Sequence, residues 1–190
     1  MKLIAVFKEC VHMQMESKRL MIRDFQEEDW ASIHAYASDP LVTEYTMWGP
    51  NTEEDTSNYL KEIFQMMKQN PRDSYELAIV LKENGRLIGG VGLHRSKTNA
   101  ELGYCLNSHY WRQGYATEAA RAMSEFGFKE LGVNRIFATC RPGNVGSAGV
   151  MRSIGMKQEG HLRQHLWFKG EYHDSYLFSL LKEEFEARNT

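Results

Sequence analysis

Between Arg19 and Phe25 (RLMIRDF) a short apolar run, Leu20-Met21-Ile22, sits between polar residues and reads as a half-buried strand. From Glu27 to Ser38 the spacing turns helical. A helix there must end before Asp39-Pro40, because a proline ring crowds the helical conformation of its predecessor. A second helical run opens at Thr52, with Tyr59, Leu60, Ile63, Phe64 and Met67 on one stripe. Thr52 suits an N-cap, and Asp55 stands where a capping box puts its acid. Three strand-like runs follow, Tyr75–Leu81, Leu87–His94 and Glu101–Leu106, with a hairpin turn at Glu83-Asn84-Gly85-Arg86. Gly89, Gly90 and Gly92 fall inside the second of these. Their spacing is not GxGxxG and no helix comes next, so they predict a bulged strand rather than a dinucleotide loop.

Tyr115–Leu131 predicts a strong helix whose small face, Ala116, Ala119, Ala120, Met123 and Gly127, can lie close on a sheet; Gly132 stops it. Then come a strand at Asn134–Cys140 and a short helix at Ser147–Ile154. Two strands, Met156–Phe168 and Tyr172–Leu181, turn around Lys169-Gly170. The order strand, two helices, three strands, helix, strand, helix, two strands implies one mixed α/β layer structure.

At 190 residues, 42% hydrophobic and 25% charged, the chain suits one folded domain with one core. We assign that domain to residues 15–190. Met15-Glu16-Ser17-Lys18 reads as a second beginning, which makes residues 1–14 a leader or a loosely attached extension. A formal charge of -2 argues against broad nucleic-acid or anionic-membrane binding, which needs a large basic surface. Cys10, Cys105 and Cys140 are odd in number and widely spaced. They predict free thiols rather than disulfides or a metal site. No apolar run reaches the roughly 18 residues of a membrane span. Leu3–Phe7 is shorter than the roughly 7–15-residue apolar core of a signal peptide, so a cytoplasmic location is expected.

The segment Leu106–Thr117 changes the picture most. A strand ends, polar and aromatic residues follow, and a helix opens at Gly114-Tyr115-Ala116-Thr117. The first N–H groups of a helix lack internal partners and carry the positive end of its dipole. A diphosphate can sit there, with Gly114 letting the backbone approach, Ala116 keeping the next turn clear, and Arg112 and Gln113 donating at the rim. Without a ligand, the same residues make an ordinary strand-to-helix turn.

Three ordered motifs give that segment its company. Glu101–Ala119, through Trp111-Arg112-Gln113-Gly114-Tyr115-Ala116-Thr117, resembles the acetyl-coenzyme A motif of the GCN5-related N-acetyltransferases (GNAT). Asn144–Ser147 followed by Val150–Met156 is the second motif, and Glu159–Arg163 with Lys169–Asp174 is the third. Within that superfamily the chain is similar to the branch that acetylates N-termini of ribosomal proteins, over about residues 17–185. The resemblance implies a mixed, mostly antiparallel seven-stranded sheet splayed in the middle, with helices on both faces. It implies acetyl-CoA as co-substrate and a direct attack in a ternary complex.

Carried over position by position, Gly114 and Ala116 match the small residues of the pyrophosphate loop. Trp111 replaces the Arg or Gln that opens that pattern, so the grip is expected from the backbone of Arg112, Gln113, Gly114, Tyr115, Ala116 and Thr117. Tyr104, Cys105 and Leu106 match the strand that pairs with the pantetheine arm, and Asn144 the asparagine that hydrogen-bonds it. Glu101 matches the glutamate taken as base. Ser147 matches the serine that assists the leaving thiolate, though it also suits the N-cap of the short helix. Met151 stands where many members carry a tyrosine, and it has no proton to give.

Two tempting sites are set aside. Cys105 lies among apolar strand residues with no base beside it, so an acyl-cysteine route is not expected. His161 and His165 are four apart on a strand-like run without the HExxH glutamate, so no metal is expected. Tyr45, Trp48, the helix from Thr52, Tyr172 and His173 are read as walls of the acceptor side. The acceptor favoured by the resemblance is a protein N-terminus. A polyamine, an aminoglycoside-like drug, a free amino acid, and a silent acyl-CoA-binding module stay as alternatives. A homodimer is left open.

Overall fold

The computed structural model describes residues 13–188. Eight strands form one sheet in the order β1-β2-β3-β4-β5-β6-β8-β7. They are β1 (Gln14–Glu16), β2 (Leu20–Asp24), β3 (Ser74–Leu81), β4 (Leu87–Ser96), β5 (Asn99–Leu106), β6 (Arg135–Cys140), β7 (Lys157–Phe168) and β8 (Glu171–Leu181). The helices are α1 (Trp30–Ala37), α2 (Pro40–Thr43), α3 (Glu53–Met67), α4 (Tyr115–Lys129), α5 (Val145–Ser153) and α6 (Lys182–Arg188). Every neighbouring pair is antiparallel except β5 with β6, which run parallel. No helix among the described residues is long and apolar enough to cross a membrane.

The sheet has one strand more than the seven expected. The extra one is β1, and its three residues are too short for any alternation to show. It is nevertheless packed: Met15 is fully buried, and the Met13 N–H donates to Asp24 at 2.6 Å. Residues 1–12, where most of the leader expectation falls, lie outside the described residues. The short helices α2 and α6 were also missed, because four and seven residues carry little periodicity.

Two apolar clusters hold the helices to opposite faces. On one face Ala119, Ala120 and Met123 of α4 are fully buried against β4, β5 and β6. A Cβ on Gly127 would press on Leu93 and Ile136 at 3.0 Å, so the glycine sets how closely this helix lies on the sheet. On the other face Ile33, Tyr36, Leu60 and Ile63 of α1 and α3 cover Ala78, Val80 and Leu87. Thr52 caps α3 and Asp55 returns the bond to its N–H at 2.9 Å, as the capping box predicts. The predicted bulge is present too: Ile79 pairs with Gly89 and Val80 with Leu87, leaving Ile88 as the extra residue.

The feature that makes a site is a gap. β5 and β6 pair only over Asn99–Glu101 with Arg135–Phe137. Beyond Glu101 the two strands part. The outer backbone edge of Leu102–Leu106 therefore faces an opening instead of a neighbouring strand.

Candidate active site

The loop after β5 enters α4 through Gly114, whose φ of 80° is left-handed backbone that glycine takes at little cost. Gly114 is the N-cap and supplies no side-chain cap, so the first N–H groups of α4 are free to bind a ligand. Arg112 is also left-handed, at φ 59°. Trp111 turns its indole N–H inward to the Leu106 carbonyl at 2.9 Å, which closes the loop on the strand it left. Gln113 points its amide at the His109 carbonyl, 3.1 Å away, rather than to the rim where it was expected.

Arg19 of the loop before β2 braces the turn. It donates to the Gln113 carbonyl at 3.0 Å, pairs with Glu118 at 2.7 Å, and lies 4.3 Å over the Tyr115 ring. Burial alone would raise the Glu118 carboxyl. Bonds from the Arg19 backbone and guanidinium and from Ser17 outweigh it and hold Glu118 below the usual range. A cavity of about 610 Å³ runs beside the first turns of α4, lined in part by Lys18, Gly114, Thr117 and Arg121.

Across the opening, Asn144 caps α5 by accepting from the Ser147 N–H at 2.9 Å. The cap is therefore Asn144, and the capping role considered for Ser147 falls away. The Ser147 hydroxyl instead lies 3.0 Å from the Tyr104 hydroxyl, which also donates to the Ser147 carbonyl at 2.9 Å. Burial pushes the Tyr104 phenol well up, so it stays protonated. Met151 sits in the core at 2% exposure. A tyrosine is thus present beside Ser147 after all, supplied by β5 rather than by α5.

Glu101 lies exposed where β5 leaves β6, opposite Phe137 on one side and His94 on the other. His94 holds Glu76 through Nε2 at 2.7 Å, and the Tyr59 hydroxyl donates to the other Glu76 oxygen at 3.4 Å. This arrangement raises the His94 pKa through the Glu76 bond, against burial, with the Glu76 and Glu101 charges assisting. Gly92 admits the Glu76 carboxylate, which a Cβ would strike. This Glu76–His94–Glu101 row was not read from the sequence. The signal available was the shared side-chain parity of three consecutive strands, which shows only once their register is known.

Cys105 is a poor nucleophile here, since burial pushes its thiol up to about 12. His161 and His165 hydrogen-bond to Asp174 and Ser175. Tyr45 and His173 line one cavity, of about 350 Å³, while Trp48, Tyr172 and the helix from Thr52 are not among its lining residues.

The profile of the Acetyltransferase (GNAT) domain family matches residues 19–157. The chain belongs to the GNAT acetyltransferase family. It is 35% identical over 174 residues to "Uncharacterized N-acetyltransferase YnaD" of Bacillus subtilis, covering 90% of this chain and 99% of that one. The crystal structure of a GNAT-family acetyltransferase from Bacillus anthracis superposes with a TM-score of 0.82 at 35% identity, over 90% of this chain and all of the other. Two more distant structures share the fold alone. One is a ribosomal-protein-S5-alanine acetyltransferase from Vibrio fischeri (TM-score 0.75, 21% identity, 91% of this chain and 98% of that one). The other is a spermidine N-acetyltransferase from Vibrio cholerae in complex with CoA and spermine (0.75, 17%, 88% and 98%).

This acetyltransferase offers donors that fit acetyl-CoA: uncapped N–H groups at α4 and an unpaired β5 edge leading away from them. We expect Gly114→Val to remove most of the CoA response. A side chain at φ 80° is strained, and its branches would stand where phosphate approaches. Wild type should gain several degrees in Tm at saturating CoA, and the variant less than about a quarter of that gain. An equal gain in both would remove Gly114 from the phosphate site.

Proposed function

We propose that this acetyltransferase moves an acetyl group from acetyl-CoA to a protein N-terminal α-amine of ribosomal-protein type, by direct attack in a ternary complex. The observation that carries this reading is the carboxylate of Glu101 at the point where β5 parts from β6, with the Tyr104–Ser147 pair across the opening. The backbone of Arg112, Gln113, Gly114, Tyr115, Ala116 and Thr117 holds the pyrophosphate. The free edge of Tyr104, Cys105 and Leu106 pairs with the pantetheine arm, and the Asn144 amide N–H groups are left to donate to that arm while its oxygen caps α5.

The acceptor must lose a proton before its nitrogen has a lone pair to attack with. An α-amine has a reference pKa of about 7.7–8.0, against about 10.4 for a lysine or similar alkylamine, so it needs the lesser help. Glu101 accepts that proton, directly or through water. His94, held by Glu76, is next in line to pass it on. As nitrogen bonds to the acyl carbon, the thioester C–S bond breaks. The departing thiolate takes a hydrogen bond from the Tyr104–Ser147 pair.

Thiol release measured over a panel of N-terminal peptides beginning with Ala or Ser, spermidine, an aminoglycoside and free amino acids tests the acceptor. The peptides should show the highest kcat/KM by about tenfold. A higher value for spermidine or the aminoglycoside would replace the N-terminal reading with a small-molecule one. Within the same panel, Ser147→Ala and Tyr104→Phe should each lower kcat about tenfold, the low end of the range for one hydrogen bond to a developing charge. Because Asn144 is the cap, Ser147→Ala should leave Tm nearly unchanged. A large Tm loss with unchanged kcat would make the pair structural.

A further inference from the structure

Arg141 follows β6 directly and is only 7% exposed, yet its Nη1 has no hydrogen-bond partner among the described residues. It is the one such buried side-chain nitrogen or oxygen among them. The guanidinium carbon lies 5.8 Å from the centre of the Phe168 ring, which stacks on His173 at 3.7 Å. Burial without a counter-charge lowers the Arg141 pKa and costs folding free energy. Such a cost persists where the group meets a partner that comes and goes.

The side chain lines the cavity of about 350 Å³ between the end of α2 and the β7–β8 hairpin, together with Tyr45, Gly143 and His173. The walls are tied: Lys169 Nζ donates to the Thr43 carbonyl at 2.6 Å, and Tyr45 packs where a Gly143 Cβ would be. Glu44, Glu171 and Asp174 also line this cavity. The first two are well exposed, and Asp174 already accepts from Gln164 N–H at 2.8 Å. A positive group in the floor under acids suits a ligand with one carboxylate to bury and positive charge elsewhere.

We infer that Arg141 binds a carboxylate carried by the acceptor. Resting on the acceptor reading above, the acceptor is then a peptide N-terminus with an acidic group within its first few residues. The planar guanidinium fork matches a carboxylate in two parallel bonds. The spacing sets the position. Phe137, the partner of Glu101, is four residues before Arg141 on β6, about 13 Å along a strand at roughly 3.3 Å per residue. An extended peptide with its amine near Glu101 spans that length with three or four residues.

The test uses C-terminally amidated pentapeptides beginning with Ser, carrying Glu or Gln at the second, third or fourth position. An unamidated tetrapeptide without an acidic side chain separates a terminal carboxylate from a side-chain one. Wild type should prefer Glu over Gln at one position by about tenfold in kcat/KM, as a charge-assisted pair allows. Arg141→Met should reduce that preference to less than about twofold by slowing the Glu peptides more than the Gln peptides, and Arg141→Lys should keep part of it. Arg141→Met should not lower Tm, since it removes an unpaired buried charge.

Equal rates for Glu and Gln in wild type overturn the inference. So does a preference that survives in Arg141→Met, or a lower Tm with all peptides slowed alike. Calorimetric titration of the CoA-loaded protein with the same peptides reads the Arg141-dependent preference without turnover. Preference in binding with no peptide acetylation would keep the carboxylate site and sink the acceptor reading; peptide acetylation with no preference would do the reverse.

Discussion

Glu101→Gln should lower kcat/KM by about 100-fold or more while leaving the CoA-induced rise in Tm unchanged. The amide keeps the shape of the carboxylate at the mouth between β5 and β6 and removes its capacity to take a proton. Raising pH should narrow the gap between variant and wild type, because a larger share of the amine then arrives already neutral. A second readout comes from His94, whose pKa is raised chiefly by Glu76 and in part by the Glu101 charge. Removing that charge should move the His94 titration to lower pH in an NMR experiment. Unchanged kcat/KM at neutral pH in Glu101→Gln would take the proton-accepting role away from this residue. The Glu76–His94 pair would then be the next candidate.

Gly89→Val should cost about 3 kcal/mol, the upper part of the usual range for forcing extra carbon into a packed site. A Cβ at Gly89 would fall inside contact distance of the Cys105 carbonyl oxygen and the Leu106 backbone, and neither is a flexible side-chain end. For a domain of this size that corresponds to roughly 6–12 °C in Tm. The same clash presses on β5 at Cys105 and Leu106, where Trp111 fastens the loop to the Leu106 carbonyl. The CoA response should therefore fall along with stability. Thermal unfolding with and without CoA checks both, and a Tm within about 2 °C of wild type would show that the bulged strand yields more easily than its geometry implies.

That acid and that glycine were legible to different degrees. Gly89 stands out in the sequence as one of three glycines within a strand, and the bulge they predict is present; its position, Ile88, comes from the register. What it makes room for, the Cys105 carbonyl of the next strand, belongs to a partner 16 residues away along the chain, and no local pattern reports it. Glu101 was found only through motif resemblance, since a single glutamate at a strand start looks like surface. Tyr104 was read for its backbone alone. Its hydroxyl contact with Ser147 spans 43 residues and depends on how α5 tilts across the opening. Arg141 was passed over altogether, because burial is a property of the packed molecule and arginine is usually exposed.

What the sequence determined by itself was the set of elements and the identity of the family. Periods of two and 3.6 place the long strands and helices, because each buries one face. The glycine turn before Tyr115 marks a helix N-terminus open to anions, because backbone geometry there is local. Short β1, α2 and α6 escaped for want of length. Only tertiary structure decided that β5 and β6 pair over three residues and then part, and that Asn144 rather than Ser147 caps α5. It alone joined Glu76, His94 and Glu101 in one row and left the Arg141 guanidinium buried beside a cavity. Each of these is set by register and packing between distant segments. The energies that fix them arise only when those segments meet.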